Sequence, residues 1–379
     1  MTTGAQQREG RGELALVMSG GGARAAYQVG FLRALARERP DFAPDILTGV
    51  SAGAINAGFL AAQPGAFGIG IEALSDLWTG LQAEDVMDTR ARRLGRRGLR
   101  WMLRLASGGR YRPEHLRGLV DTAPLRRMLE RSLPEGGVAR RIERGELKAL
   151  AITATSYSTG QTVTFCEGRQ VEDWARPGRR SRSCPITAEH VLASSALPLL
   201  FPAVRLEQGW FGDGGMRLTA PLAPAIHLGA RRILAISTRF GRSDAEADEP
   251  VIDRYPPPAR IAGLLLNAVF LDQLDADALR LRQTNRLLAG LPPADRGRLR
   301  PIELRVFRPS RDLGKLANEY EARLPRALRF FARGTGTLET RSNDLLSLIM
   351  FQGDYLTRLV ELGEGDALAN LDELLAFLG

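Results

Sequence analysis

A serine between two glycines follows a short apolar segment in the first part of the chain. Residues 49–53 read G-V-S-A-G, with Ser51 at the centre and the apolar Ile46 and Leu47 shortly before it. When such a serine lies on a sharp strand-to-helix turn, its hydroxyl is held at the edge of the sheet and can act as a nucleophile. The same pentapeptide is compatible with a serine that only caps a helix, so by itself it leaves both interpretations open.

A glycine-rich loop, Gly20-Gly21-Gly22, separates an apolar strand pattern at residues 14–18 from a helical pattern at residues 25–35. Backbone N–H groups exposed at such a helix N-terminus bind an anion. The anion is either a nucleotide phosphate or the oxyanion of an acyl-transfer transition state. No G-x-x-x-x-G-K-[ST] is present, and G-x-G-x-x-G would end at position 25, where alanine is only a tolerated substitute. We therefore favour the oxyanion and keep a nucleotide-binding α/β protein as an alternative.

A single carboxylate, Asp213, lies between Gly212 and Gly214 after a short apolar segment. A serine nucleophile needs a base, and the three histidines of the chain all lie outside glycine-flanked turns; they are His115, His190 and His227. A Ser–Asp dyad of Ser51 and Asp213 is therefore favoured over a Ser-His-Asp triad. Taken alone, however, Asp213 is more typical of an ordinary Asp-Gly turn.

Together these segments resemble the patatin-like phospholipase family, in its bacterial type with a Ser–Asp dyad. The resemblance spans residues 12–240 and rests on four motifs in family order, namely Gly20–Arg24, Gly49–Gly53, Ala193–Pro202 and Asp213–Gly215. It implies an α/β fold with three α/β/α layers around a central, mostly parallel sheet, followed by C-terminal helices. One departure is Ala25, where the family usually has glycine, and we expect its methyl group to narrow the mouth of the acyl pocket.

The resemblance also implies roles for individual residues. Ser51 is expected to be the nucleophile and Asp213 the base. The oxyanion hole is expected at Gly20, Gly21, Gly22 and Arg24, and the nucleophile elbow at Gly49, Ala52 and Gly53. Arg24 is expected either to hold the glycine loop in shape or to meet a lipid phosphate. The resemblance implies no metal and no cofactor.

Composition narrows the class of protein further. The chain has 379 residues, 44% of them hydrophobic, and a formal net charge of +9 that comes almost entirely from arginine. Its two cysteines, Cys166 and Cys184, do not form a disulfide framework. The sequence shows neither the apolar stretch of a signal peptide nor a long apolar run, which predicts a cytoplasmic protein, with peripheral membrane contact left open.

Strand patterns alternate with helical patterns, which is typical of a sheet with helices on both faces. The strand candidates are residues 13–18, 45–49, 147–155, 161–165, 231–237 and 302–307. We further expect a hairpin turn at Tyr157–Gly160, a loop at Arg169–Cys184, one long helix over residues 259–288, and a helix from the capping Asn343 through Leu359.

This organisation predicts a disordered N-terminus (1–11), a catalytic core (12–245) with a basic helical insertion at about 64–145, and a mostly helical extension (259–379) packed on the core, with one further strand as an option.

Two arginine-rich stretches raise the question of a membrane surface. Residues 90–112 contain no acidic residue, and Leu94, Trp101 and Leu105 recur at near-helical spacing. This pattern fits a basic amphipathic helix at an anionic interface, but we slightly favour an insertion whose apolar stripe packs on the core or covers the active site. Residues 323–333 are expected to form a packed surface helix. Nucleic acid is disfavoured as a partner because few aromatic residues interleave with the arginines.

The sequence therefore predicts a serine lipid acyl hydrolase of the phospholipase A or lysophospholipase type, with a phospholipid or another acyl lipid as substrate. Two alternatives remain besides nucleotide binding: a carboxylesterase or thioesterase acting on soluble acyl substrates, and a non-hydrolytic scaffold associated with membranes. The sequence leaves open whether the protein forms a homo-oligomer.

Overall fold

The computed structural model describes residues 13–108, 110, 118–248, 255–334, 336–337 and 342–379. The predicted disorder of residues 1–11, the end of the first basic stretch at 111–112, and His115 lie outside these residues. The described strands are β1 Leu14–Met18, β2 Ile46–Val50, β3 Ala149–Ser156, β4 Thr162–Gly168, β5 Ala175–Arg176, β6 Arg179–Ser183, β7 Val204–Leu206, β8 Gly209–Asp213, β9 Arg232–Ile236 and β10 Glu303–Phe307.

The described α-helices cover most of the remaining chain. They are α1 Ala26–Glu38, α2 Ala52–Ala62, α3 Phe67–Gly80, α4 Ala83–Val86, α5 Ala91–Ala106, α6 Ala123–Ser132, α7 Gly137–Glu143, α8 Ala188–Ser194, α9 Ala223–His227, α10 Asp244–Asp248, α11 Pro258–Phe270, α12 Gln273–Ala289, α13 Leu313–Asn318, α14 Arg326–Gly334, α15 Asp344–Ile349, α16 Gly353–Ala369 and α17 Leu371–Leu378. Short 3-10 helices occur at Gly22–Ala25, Gly214–Arg217, Pro293–Arg296 and Glu321–Arg323.

One mixed sheet organises the described part of the chain. Its strand order is β10-β9-β1-β2-β3-β4-β6-β5, with β8 paired to β3 and β7 paired to β8. The five strands from β10 to β3 are parallel, whereas β4 and β8 run antiparallel to β3. Because parallel strands end at the same edge of a sheet, the glycine loop after β1 and Ser51 after β2 become neighbours.

The two faces of the sheet bury two separate apolar cores. Along β1, Leu14, Leu16 and Met18 belong to one core, while Ala15 and Val17 belong to the other. This alternation is the period of two expected of a strand whose faces are both covered. Helices α1, α2 and α16 contribute to the first core, and α9 and α12 contribute to the second. The predicted three-layer α/β/α fold with a mostly parallel central sheet is thus confirmed.

The six strand candidates all correspond to observed strands, and the hairpin between β3 and β4 is confirmed. The predicted loop at Arg169–Cys184 is wrong, because β5 and β6 form a two-stranded extension there that pairs with β4. The sequence hides these strands because four of the five residues of β6, Arg179–Ser183, lie at least partly in solvent and carry no apolar alternation.

Two predicted helices are each split in two. The helix predicted over 259–288 breaks at Leu271 and Asp272, between α11 and α12. Asn343 does cap a helix, since its side chain accepts a hydrogen bond from the N–H of Leu346 at 3.1 Å. That helix, however, ends at Ile349, and α16 begins only at Gly353. The periodicity of apolar residues continues across both breaks, so it does not mark them.

The C-terminal part of the chain is joined to the sheet and to the first helix. Strand β10 extends the sheet beside β9. Helix α16 packs against α1 at very short range, because a Cβ atom at Gly30 would overlap the backbone of Val360, and one at Gly363 would overlap the backbone of Tyr27. These two glycines permit a backbone-to-backbone approach that any larger residue would prevent.

Helix α5 lies on the surface, contrary to the expectation that its apolar stripe is packed away. Leu94 is partly buried against the first core, but none of the 16 residues of α5 is buried, and Met102 and Leu105 are exposed. In the second basic stretch, Leu324 and Leu328 are buried as expected. No helix among the described residues combines the length and the hydropathy required to cross a bilayer.

Candidate active site

Ser51 occupies the turn between β2 and α2. Its backbone is left-handed, with φ of 55° and ψ of −130°, a conformation that is strained for serine and is typical of functional sites. The flanking glycines are required by close packing, since a Cβ at Gly49 would overlap the carbonyl of Gly53, and a Cβ at Gly53 would overlap the carbonyls of Met18 and Ser19. The sequence motif therefore corresponds to a sharp strand-to-helix elbow.

Asp213 is brought to Ser51 by the pairing of its strand. It is the last residue of β8, which runs antiparallel to β3 with Asp213 opposite Ala154. The Ser51 hydroxyl donates a hydrogen bond to Asp213 Oδ2 at 2.6 Å. The other carboxylate oxygen accepts the N–H of Gly215 at 2.9 Å. The two residues singled out by the sequence thus form a directly hydrogen-bonded pair.

The Asp213 carboxyl is completely buried, with 0% exposure. Burial raises the pKa of Asp213 to about 7, while the hydrogen bonds from Ser51 and Gly215 act in the opposite direction. Desolvation dominates because the charged form loses its hydration, and no cation in the described part of the chain offsets that loss. The carboxyl can therefore change its protonation state near neutral pH.

A second serine, Ser194 at the end of α8, supports the elbow. Its Oγ accepts the backbone N–H of Ser51 at 3.0 Å and donates to the carbonyl of Thr153 on β3 at 2.6 Å. Sequence reasoning included Ser194 in a family-like segment but gave it no role, because only the fold shows that its hydroxyl ties the elbow to the neighbouring strand. It holds the backbone of Ser51 in its strained conformation.

The glycine loop lies directly beside the nucleophile. A Cβ at Gly20 would lie 2.9 Å from Cβ of Ser51, and Gly22 has a left-handed φ of 55°. The hydroxyl of Thr238 donates to the carbonyl of Gly20 and fixes the loop. Among the described residues, the N–H groups of Gly21, Gly22 and Ala52 have no hydrogen-bond acceptor. Unpartnered donors at a helix N-terminus form an anion-binding surface.

Arg24 points into the protein rather than toward solvent. It is 3% exposed, its Nε donates to Ser347 Oγ at 2.8 Å, and it forms an ion pair with Asp344 at 2.8 Å. Asp344 is also paired with Arg260 at 3.3 Å. The expectation that Arg24 meets a lipid phosphate is therefore not met. The arginine instead ties the glycine loop to α15.

An apolar cavity opens at Ser51. Gly22, Ser51 and Ala52 form its polar end, and Trp78 and Phe351 are among the apolar residues of its wall. The expectation that Ala25 narrows this cavity is wrong, because Ala25 is not among the described residues that line it. Ser51 is only 3% exposed, so its hydroxyl lies below the protein surface. A second cavity lies behind the elbow at Gly49 and Phe270 and does not include Ser51.

The segment between Ser195 and Phe201, which contributes Ser195, Leu197 and Phe201 to the cavity wall, contains a further strained residue. Leu199 has a left-handed φ of 66° and is 72% exposed. A leucine with this backbone is an outlier that the surrounding structure must enforce.

The described histidines are engaged elsewhere. His190 caps the start of α8 through Thr187, packs edge-on against Phe165, and has its pKa lowered to about 4 by burial. His227 stacks on Trp174 with ring centroids 4.4 Å apart. In the described part of the chain, neither ring is hydrogen-bonded to Ser51 or Asp213. The geometry brings serine and aspartate together without a histidine between them.

The sequence model of the patatin-like phospholipase family matches residues 16–226. No curated protein matches the chain in sequence. Among solved structures, the chain is similar to VipD from Legionella pneumophila, with 14% identity, 95% of this chain and 67% of that chain covered, and a TM-score of 0.41. It is also similar to human GIVD cytosolic phospholipase A2 in complex with methyl gamma-linolenyl fluorophosphonate, with 14% identity, 97% of this chain but only 59% of that chain covered, and a TM-score of 0.44.

The matched region contains the glycine loop, the elbow with Ser51, and Asp213. Because the family model covers more than half of the chain, this protein belongs to the patatin-like phospholipase family of lipid acyl hydrolases.

Proposed function

We propose that this protein is a serine acyl hydrolase of the phospholipase A or lysophospholipase type, which cleaves fatty acyl esters through an acyl-enzyme on Ser51. The observation that carries the proposal is the 2.6 Å hydrogen bond from Ser51 Oγ to Asp213 Oδ2 at the mouth of an apolar cavity. A nucleophile bonded to a base and placed beside unpartnered donors is the minimal arrangement for acyl transfer.

In the first half of the reaction, Asp213 accepts the proton of Ser51 as Oγ attacks the ester carbonyl carbon. A base acts best when its pKa lies near the operating pH, and burial raises the pKa of Asp213 to about 7. The hydrogen bond from Gly215 holds the second carboxylate oxygen and so orients the first oxygen toward Ser51.

The negative charge that develops on the ester oxygen needs donors fixed in advance. The N–H groups of Gly21, Gly22 and Ala52 supply them, and Ala52 begins the 11-residue helix α2. The positive end of the helix dipole adds to their effect. Such preorganised donors stabilise an oxyanion in a water-poor site far better than they would in bulk water.

In the second half, the proton on Asp213 passes to the departing alkoxide, which leaves as an alcohol such as a lysophospholipid. Asp213 then takes a proton from water as the water oxygen attacks the acyl-enzyme. Collapse of the second tetrahedral intermediate breaks the bond to Oγ, returns the proton to Ser51, and releases the fatty acid. The cycle consumes one ester and one water and needs no other reactant.

The apolar wall of the cavity supports a fatty acyl chain as the group bound next to Ser51. Its lining is dominated by aliphatic and aromatic side chains such as Ile55, Trp78 and Phe351. Such a wall binds methylenes and gives no hydrogen bond to a polar acyl group. The head group of the lipid substrate would then lie outside this cavity, on the side of the site that faces solvent.

The test compares hydrolysis of phosphatidylcholine vesicles and of p-nitrophenyl esters of increasing acyl length by the wild type, Ser51→Ala, Asp213→Asn and the control Ser183→Ala, which alters an exposed serine on β6. Both site variants are expected to lose at least about 10³-fold in kcat/KM while staying folded, and the control is expected to match the wild type.

A near-wild-type rate in folded Asp213→Asn would contradict the dyad. A preference for short or thioester substrates would favour a carboxylesterase or thioesterase instead. If the folded wild type and the folded control both fail to turn over any substrate but bind vesicles normally, a non-hydrolytic scaffold would be favoured.

A further inference from the structure

Helix α5 differs from the other long helices of the protein in burying none of its 16 residues. Its sequence, ARRLGRRGLRWMLRLA, contains six arginines and no acidic residue. A helix that contributed only to the fold would bury its apolar side, because that burial is the main source of stability for a helix in water. The exposure of α5 therefore indicates a surface that binds a partner outside this chain.

The arginines of α5 fall into two rows. Arg93 pairs with Asp88, and Arg97 pairs with Asp121 at 2.9 Å; these two contacts attach the helix to the protein. The second row consists of Arg92, Arg96, Arg100 and Arg104. Their spacing of four residues places them along one side of the helix. For this row no ion-pair partner exists among the described residues, so its charges are available to an external anion.

Large apolar side chains are exposed on the same helix. Leu99 is 52% exposed, Met102 61% and Leu105 72%. The neighbouring helix α14 packs against α5 and adds Phe330, which is 83% exposed. Exposed apolar side chains bordered by arginines are the pattern of a helix that lies in a lipid interface, with its apolar groups among the acyl chains and its guanidinium groups on the phosphates.

The position of α5 links this surface to the acyl cavity. Helix α4, just before it, contributes Val86 to the cavity wall, and α6, just after it, contributes Leu125 and Met128. Asp121 lies two residues before the start of α6, and its ion pair with Arg97 therefore holds α5 beside the beginning of α6. A surface bound through α5 therefore lies close to the wall of the cavity that faces Ser51.

We propose that α5, with Phe330 of α14 beside it, docks the protein on an anionic lipid surface. The four unpaired arginines meet lipid phosphates, and Leu99, Met102 and Leu105 enter the acyl boundary. Nucleic acid fits this surface less well, because phosphates of a duplex offer no apolar region to cover the leucines and the methionine. The docking does not depend on the Ser51–Asp213 chemistry, so the two proposals fail separately.

The experiment measures sedimentation of the protein with vesicles of phosphatidylcholine alone and with vesicles that contain phosphatidylglycerol. Ser51→Ala serves as the parent so that lipid is not consumed. The test variant is Arg96→Gln/Arg100→Gln/Arg104→Gln. The control, Arg282→Gln/Arg286→Gln/Arg298→Gln, removes the same charge from α12 and the loop that follows it. Helix α12 packs in the second core, on the other face of the sheet from the first core against which Leu94 of α5 lies.

On anionic vesicles, the test variant is expected to lose about 100-fold in partition coefficient, the loss that three surface arginines would cause at about 1 kcal/mol each, while the control loses less than about threefold. Met102→Ser/Leu105→Ser is expected to weaken binding to the same vesicles without changing its dependence on salt. Circular dichroism verifies that each variant is folded.

Equal losses in the test and control variants would overturn the proposal, because net charge alone would then account for binding. Equal binding to the two vesicle types would also overturn it. Binding to duplex DNA but not to vesicles, abolished by the same three substitutions, would assign the surface to nucleic acid instead.

Discussion

Replacing Asp213 with asparagine should abolish activity and at the same time make the protein more stable. The asparagine side chain has nearly the shape of aspartate, and its amide oxygen can still accept the N–H of Gly215, while its NH₂ group can donate to Ser51 Oγ. What the substitution removes is a carboxyl that is completely buried. A buried carboxylate without a cation costs free energy whenever it is ionised.

The magnitude follows from the pKa of Asp213, which burial raises from its ordinary value of 3.8 to about 7. Below pH 3.8 the carboxyl is protonated in both states and costs nothing. As the pH rises toward 7, the unfolded chain releases the proton while the folded protein keeps it, so the free energy of unfolding falls. Above pH 7 the penalty is complete and is worth about 4 kcal/mol, at 1.36 kcal/mol for each pKa unit.

The assay is urea unfolding of the wild type and Asp213→Asn at about pH 4.5, 6 and 8. The stability gain of the variant is expected to be below about 1 kcal/mol at the lowest pH and to grow to about 2–4 kcal/mol at the highest. Asp76→Asn, an exposed position on α3, is the control and is expected to show no such growth. For the wild type, kcat/KM is expected to fall as the pH drops below about 7, because the protonated carboxyl accepts no proton.

Two results would contradict a penalty on the buried carboxylate: folded Asp213→Asn is less stable than the wild type at pH 8, or its gain in the free energy of unfolding is the same at every pH. Either result would mean that the ionised carboxylate is not penalised by its surroundings. A rate that stayed constant well below pH 7 would refute the same statement by a kinetic measurement.

Two further substitutions test how the site is held. Arg24→Ala is expected to lower the free energy of unfolding by about 3–5 kcal/mol, because it leaves a buried charge on Asp344 with one partner fewer. The control is Arg37→Ala, which removes an exposed arginine paired with Glu72 and with the half-buried Glu364, and it is expected to cost at most about 1 kcal/mol in urea unfolding. Gly363→Ala is expected to cost about 1–3 kcal/mol in thermal or urea unfolding, since its methyl group would overlap the backbone of Tyr27. Its control Gly365→Ala, two residues along α16 in open space, is expected to raise stability by up to about 1 kcal/mol, and a loss in both variants would argue against close packing as the cause.

Local pattern was sufficient for the strands of the parallel sheet and for the glycine turns beside Ser51. Strands β1, β2 and β9 are short apolar runs bounded by glycine or polar residues, and both of their faces are buried, so composition alone identifies them. The glycines at 20–22 and around Ser51 mark turns because only glycine fits the backbone there. The pairing of Ser51 with Asp213 was inferred from residue types and from the resemblance to a family.

Other elements were not visible to local pattern. Strand β6 is largely polar and is held by its pairing with β4. The breaks between α11 and α12 and between α15 and α16 occur where apolar periodicity continues, so the pattern does not mark them. Ser194 lies in a family-like segment, but its role has no local signal, since that role depends on a strand and an elbow that lie far from it in the chain.

By itself the sequence determined the α/β fold class and the nucleophile elbow, because these depend on backbone sterics and on the period of apolar residues. The identity of the two residues that meet at the site was inferred from their residue types and from the resemblance to a family. Only the tertiary structure decided that Asp213 is fully buried beside Ser51, that Arg24 is paired with Asp344 inside the protein, and that α5 remains uncovered. These properties depend on which distant segments surround a side chain, and burial, charge pairing and exposure arise only when those segments are packed together.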